Sequence, residues 1–151
     1  FEVAGTWQPG VQEEVSQLDG WKKVTDLGYI SRDVSLGVKA KCIAGLVLFL
    51  PEPNHVDAQP NKMFEYMASG LPVIGSNFPL WKRIIEDNDC GICVDPENPE
   101  AIAEAITYLR NNPDRVEEMG AKGKKMVREK YNWDIEKVKL LEIYKELEQA
   151  E

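Results

Sequence analysis

The chain predicts an α/β fold, a doubly wound parallel sheet followed by C-terminal helices. Three observations lead there. Strand-sized apolar runs alternate with helical patterns as far as residue 94, the run Gly45-Leu46-Val47-Leu48-Phe49-Leu50 is apolar throughout, and from Asn98 onward only helical patterns remain. A continuously apolar strand is the mark of a parallel sheet covered on both faces. Repeated strand–helix order implies right-handed crossovers within one sheet.

The elements follow in order. Phe1-Glu2-Val3-Ala4-Gly5 reads as the tail of a strand and its glycine turn, and since the chain opens on Phe, a preceding segment is expected. Residues 24–27 are strand-like, and Ser31 is placed to cap a helix through about Lys41. After strand 45–50 and a proline-rich loop, Asn61 is expected to cap a helix over 62–69, with Gly70 just past its end. A strand at 72–75, a helix near 80–86 and a strand at 91–94 complete the alternation. Asn98-Pro99 and Asn112-Pro113 each supply a cap residue and a proline at the first helical position. Two apolar stripes follow, Ile102, Ala105, Ile106, Leu109 and then Val116, Met119, Met126, Val127, the second interrupted by Gly120 and Gly123. Asp134 is expected to open a last helix bearing Ile135, Val138, Leu141, Tyr144 and Leu147. All these stripes read as core contacts. Trp81 is expected to pack a helix start and Trp133 to anchor the last helix.

Composition narrows the function. At 151 residues and 43% hydrophobic content the chain reads as one soluble domain, with no linker or repeat. A net charge of −8 opposes a nucleic-acid partner. The one basic cluster, Lys122, Lys124, Lys125, Arg128 and Lys130, lacks stacking aromatics and reads as a solvated helix face. No apolar run reaches membrane-span length, so any membrane contact is peripheral. The three cysteines, Cys42, Cys90 and Cys93, are odd in number, and no signal peptide accompanies them, which favours a reducing cytoplasm. Cys90-Gly91-Ile92-Cys93 has the spacing of a redox pair or half a zinc site, but Cys42 and the sole histidine, His55, lie far off; the pair reads as strand residues, and no metal or cofactor is expected.

The segment Pro60-Asn61-Lys62-Met63-Phe64-Glu65 is the most informative. A helix N-terminus offers unpaired N–H groups and a positive dipole end to phosphate oxygens, and a carboxylate one turn in reaches hydroxyls of the same ligand. That suits a nucleotide with a ribose. Ligands of doubly wound sheets lie beyond the carboxyl ends of the strands, where loops 28–30, 51–61 and 75–80 are expected to gather.

The run from Asn61 to Ile74, then residues 91–96, then Tyr131-Asn132-Trp133, together resemble the C-terminal half of the group 1 retaining glycosyltransferases, over nearly the whole chain. The resemblance implies the GT-B architecture: two Rossmann-like halves facing each other, the C-terminal one holding a nucleoside diphosphate sugar. The acceptor, a sugar or lipid-linked glycan, belongs to an N-terminal half that this chain lacks. Glu65 matches the second glutamate of the family's paired acids, which accepts hydrogen bonds from the donor ribose. The first acid falls on Asp57, where the family commonly has glutamate and then a glycine-rich turn. Here the turn reads Asp57-Ala58-Gln59-Pro60, a departure, and the amides of Asn61, Lys62 and Met63, with Lys62 as cation, are expected to replace the phosphate cradle. Gly28-Tyr29-Ile30 resembles the base-contacting loop, with Tyr29 and Ile30 as its contacts. The family's basic Arg and Lys pair would lie upstream of Phe1.

Alternatives stand beside each assignment. Glu65 is otherwise a solvated helix residue or a partner of Lys62. His55 either lines the donor-sugar pocket or is a surface loop histidine. For the whole, the other readings are a nucleotide-sugar epimerase of the same architecture and a non-catalytic nucleotide-sugar binding module.

Overall fold

The computed structural model describes residues 1–149. Its backbone divides into two compact units, Phe1–Lys41 and a second from Cys42 onward. The sequence reads as one domain with a single sheet; the strands pair instead as two parallel sheets, one in each unit.

In the first unit β1 (Glu2–Val3) pairs in parallel with β2 (Thr25–Asp26). Between them lie α1 (Val11–Val15) and a 3-10 helix (Asp19–Lys23), neither of which the sequence pattern marks. Gly5, at φ 146°, donates its N–H to Gly28 O at 2.9 Å, the glycine turn expected there. Asp26 organises the end of β2: it accepts from the Gly28 N–H at 3.0 Å and the Trp7 indole at 2.8 Å, and these bonds hold its carboxyl below the usual range. The helix after it, α2 (Arg32–Lys39), is capped as expected, Ser31 Oγ accepting from the Val34 N–H.

In the second unit β3 (Gly45–Val47), β4 (Val73–Ser76) and β5 (Gly91–Val94) form a parallel sheet in that order. Both faces are covered, which is why these strands are apolar apart from Ser76 at the end of β4. On one side Val47 and Val73 pack with Met63, Met67, Trp81 and Ile85; on the other Ile74 and Val94 pack with Ala105, Leu109 and Met119. The elements that supply these residues are α4 (Asn61–Ser69), α5 (Pro79–Ile85), α6 (Pro99–Asn111) and α7 (Pro113–Glu129). Glycines fix how closely they approach. A Cβ on Gly120 would meet Gly70 O at 2.1 Å, so α7 crosses the end of α4 nearly backbone to backbone. Gly45 lies flat under the Tyr66 ring, 2.2 Å from where its Cβ would be.

Several expectations need correction. Strand 45–50 ends at Val47, because both backbone groups of Phe49 bond to a side chain instead of the ladder. Asn61 is not the cap of α4; Pro60 holds that place without a side-chain bond, and Asn61 is the first helical residue. Gly70 does take the left-handed turn, at φ 78°. Asn98 caps α6 through Ala101 N–H, but the Asn112 amide turns back to Tyr108 O at the end of α6 and leaves α7 uncapped by a side chain. The last helix, α8 (Trp133–Gln149), starts one residue earlier than expected, and its cap is Asn132, which accepts from Ile135 N–H at 3.1 Å. None of its residues is buried, and Trp133, expected to anchor the helix, is 66% exposed.

Candidate functional site

The candidate site is built at the carboxyl ends of β3 and β4. Where β3 stops, the Phe49 N–H donates to Ser76 Oγ and the same hydroxyl donates to Phe49 O, both at 2.8 Å. Ser76 is the last residue of β4 and fully buried, so one hydroxyl satisfies two backbone groups that leave the sheet. The Phe49 ring, locked in this way, is shared. The His55 ring lies 4.9 Å from it, the Trp81 ring 5.6 Å, and Lys62 Nζ 5.8 Å from its centroid.

His55 is not in an irregular loop but in a single helical turn, α3 (Pro53–Val56). Its Nδ1 lies 3.0 Å from Leu50 O, and since a carbonyl only accepts, Nδ1 carries the proton and Nε2 is the acceptor of the neutral ring. Asp57 follows as the C-terminal cap of α3 and is exposed. The chain then turns through Ala58 to Pro60 into α4, and Trp81 Nε1 donates to Ala58 O at 2.7 Å.

Helix α4 has two faces. Met63 and Met67, four apart, are fully buried, and Asn61, Lys62 and Glu65 share the exposed side. The N–H groups of Asn61 and Lys62 open the helix and have no acceptor inside it. The Met63 N–H differs, being donated to Pro60 O at 3.0 Å, so the expected cradle of three amides reduces to two and the lysine. The Met63 side chain is core. Glu65 stands one turn in; its backbone carbonyl accepts from Ser69 Oγ, and its charge adds to the burial that raises the Tyr66 phenol. Tyr29 and Ile30 belong to the first unit, just after β2, where Tyr29 is 85% exposed and Ile30 half-buried.

Within the second unit, then, His55 and Lys62 lie beside the Phe49 ring, and Asp57, Asn61 and Glu65 are exposed on the neighbouring stretch from the end of α3 into α4. Phe49, Ser76 and Trp81 were not singled out for the site from sequence. Their signal was positional for two of them: Ser76 ends β4 and Phe49 follows the end of β3, where a parallel sheet exposes its ligand crevice.

The cysteine pair sits elsewhere. Cys90 is buried before β5 and Cys93 lies within it. Burial pushes the Cys90 thiol up to about 11; burial, with Glu86 beside it, pushes Cys93 up to about 12. A reactive pair needs the opposite shift. Among the described residues no group of three or more His, Cys, Asp or Glu is placed to hold a metal ion, and no helix is long and apolar enough to cross a membrane.

Parallel strands with flanking helices, and polar residues gathered at the strands' carboxyl ends, define a Rossmann-like unit. Residues 1–126 match the family model of the glycosyl transferases group 1, and the chain belongs to that family. It is 33% identical over 76 residues to a GDP-mannose-dependent alpha-(1-6)-phosphatidylinositol monomannoside mannosyltransferase of Mycobacterium tuberculosis, covering 50% of this chain and 20% of that one. It is 28% identical over 142 residues to an uncharacterized glycosyltransferase of Methanocaldococcus jannaschii, covering 94% of this chain and 35% of that one. Its fold matches the sucrose-phosphate synthase of Thermosynechococcus elongatus with a TM-score of 0.85 at 21% identity, over 99% of this chain and 39% of that one. The chain thus spans between a fifth and about two-fifths of these proteins' lengths.

Proposed function

We propose that this chain is the donor-binding half of a retaining glycosyltransferase that moves a sugar from a nucleoside diphosphate sugar to an acceptor. The observation that carries the reading is the exposed face of α4, where two unpaired helix N–H groups, an ammonium over an aromatic ring and a carboxylate one turn in follow one another at the end of the sheet. The amides and Lys62 take the diphosphate, Glu65 takes the ribose hydroxyls, and Asp57 and the His55 Nε2 face the sugar. Tyr29 and Ile30 contact the base. The acceptor, a sugar or lipid-linked glycan, is held by an N-terminal half outside this chain, and the protein works in the cytoplasm. Catalysis in the whole protein is electrostatic, stabilising the departing diphosphate without a bound metal.

Calorimetric titration with UDP-, GDP- and ADP-sugars tests this, GDP-mannose first because a relative's name specifies it. The expected result is saturable binding of one donor class that survives EDTA, with no sugar transfer by this chain alone. Absence of binding across the panel contradicts the donor reading. Turnover by this chain alone, well above buffer, contradicts the division of labour between two halves.

A further inference from the structure

We propose that Trp81 is a positioning residue of the donor site, its buried indole N–H holding the turn from Asp57 to Pro60 in place. The inference rests on the donor-binding reading of that site. The turn carries the acid assigned to the sugar and leads directly into the amides assigned to the phosphates. Its own backbone bonds are local: Ala58 N–H goes to His55 O at 3.1 Å and Met63 N–H to Pro60 O at 3.0 Å. These set the curvature of the turn but not its place relative to the sheet. The bond from Trp81 Nε1 to Ala58 O, 2.7 Å long and 23 positions apart in sequence, does fix that place.

The donor end of this bond is rigid. Trp81 is fully buried in the first turns of α5, its ring edge-on to Phe78 at 5.0 Å and tilted against Phe49 at 5.6 Å. Phe49 is itself held by Ser76 at the end of β4. A chain of contacts therefore runs from the sheet, through Ser76, Phe49 and Trp81, to Ala58. A phenylalanine would fill most of the same space, so the core does not require the indole N–H. A buried N–H needs an acceptor, and that need specifies where the Ala58 carbonyl must lie.

The test compares the wild-type chain, Trp81→Phe, Asp57→Asn and the double variant, titrated with GDP-mannose, UDP-glucose and ADP-glucose and with the corresponding free nucleosides. For the donor that wild type binds, each single variant is expected to lose about tenfold in affinity, with the nucleoside affinity unchanged. Because both changes remove one contact, the double variant also loses about tenfold, not about a hundredfold. An unchanged donor affinity in Trp81→Phe, additive losses, or an equal loss for the nucleoside would each overturn the inference while leaving the donor reading intact. Failure of wild type to bind any of the three donors overturns the donor reading, and this inference with it. Should Trp81→Phe unfold, 3-benzothienylalanine at position 81, which keeps the volume and removes only the N–H, decides by the same criteria.

Discussion

Helices α4 and α8 both carry apolar residues at helical spacing, and they differ in how much of that side is covered. In α4 the stripe is Met63 and Met67, both fully buried, and the opposite side bears Asn61, Lys62 and Glu65. In α8 the stripe begins at the half-buried Ile135, and Val138, Leu141, Tyr144 and Leu147 beyond it are exposed. A periodic pattern reports that a helix has an apolar side; it does not report what covers that side. For α4 the cover can be read from two glycines, since Gly120 and Gly123 of α7 exist in order to let the helices touch: a Cβ on Gly123 would stand 3.3 Å from the Met67 Cα. No comparable small residue marks a partner for α8.

The comparison breaks most readily at Gly120. Its Cβ would meet a backbone oxygen that no rotamer change can move, so Gly120→Ala forces α4 and α7 apart and is expected to cost about 3 kcal/mol, read as a large fall in thermal midpoint. A shift of under about 2 °C would contradict the close crossing.

A smaller effect is expected at Asp89, in the turn that leads into β5. It sits at φ 48° and takes Arg115 at 2.7 Å and Lys122 at 2.6 Å, both of which also reach Glu118. These two cations, Lys122 first, hold its carboxyl below the ordinary value of 3.8. A folded-state pKa below the unfolded one means the stabilisation is present above about pH 4 and is lost as pH falls through the depressed folded value. The network is partly exposed, so Asp89→Asn, which keeps a residue tolerant of positive φ, is expected to cost about 1 kcal/mol at neutral pH and almost nothing in strong acid. Melts at neutral and acid pH check the sign; equal losses at both would remove the charge from the explanation.

The smallest effect lies on α8. Leu141→Ser is expected to change stability by less than about 0.5 kcal/mol, because more than half of the residue's surface already faces water. A loss of several kcal/mol in denaturant unfolding would show a partner for the stripe and end the contrast with α4.

What was legible followed from local chemistry. Gly70 stops α4 because only a glycine turns there without cost, and Val73 and Ile74 sit in β4, buried on opposite faces of one sheet. What was not legible depended on residues far apart in sequence. Strand 45–50 is uniformly apolar, and nothing in it announces that the Ser76 hydroxyl takes the backbone of Phe49 out of the ladder. Asn112 precedes a proline and reads as a cap for α7, but its side chain donates to the Tyr108 carbonyl of the preceding helix and makes no cap bond to α7. Helix α3 is one turn with no stripe, too short for periodicity to register. At the candidate site, Glu65, Lys62 and Asp57 were proposed from position and resemblance, whereas the packing of Phe49 against Trp81 and His55 required the fold.

The most direct measurement is donor affinity on Glu65→Gln, with a thermal melt as control. An ionised carboxylate accepting from ribose hydroxyls makes charge-assisted bonds, so the account predicts a loss of about 1 to 3 kcal/mol in nucleoside diphosphate binding. The melt should be nearly unchanged, because Glu65 lies on the exposed side of α4 and glutamine keeps its shape. Unchanged affinity would make Glu65 a solvated helix residue, a large fall in melting temperature would make it structural, and either result would contradict the account.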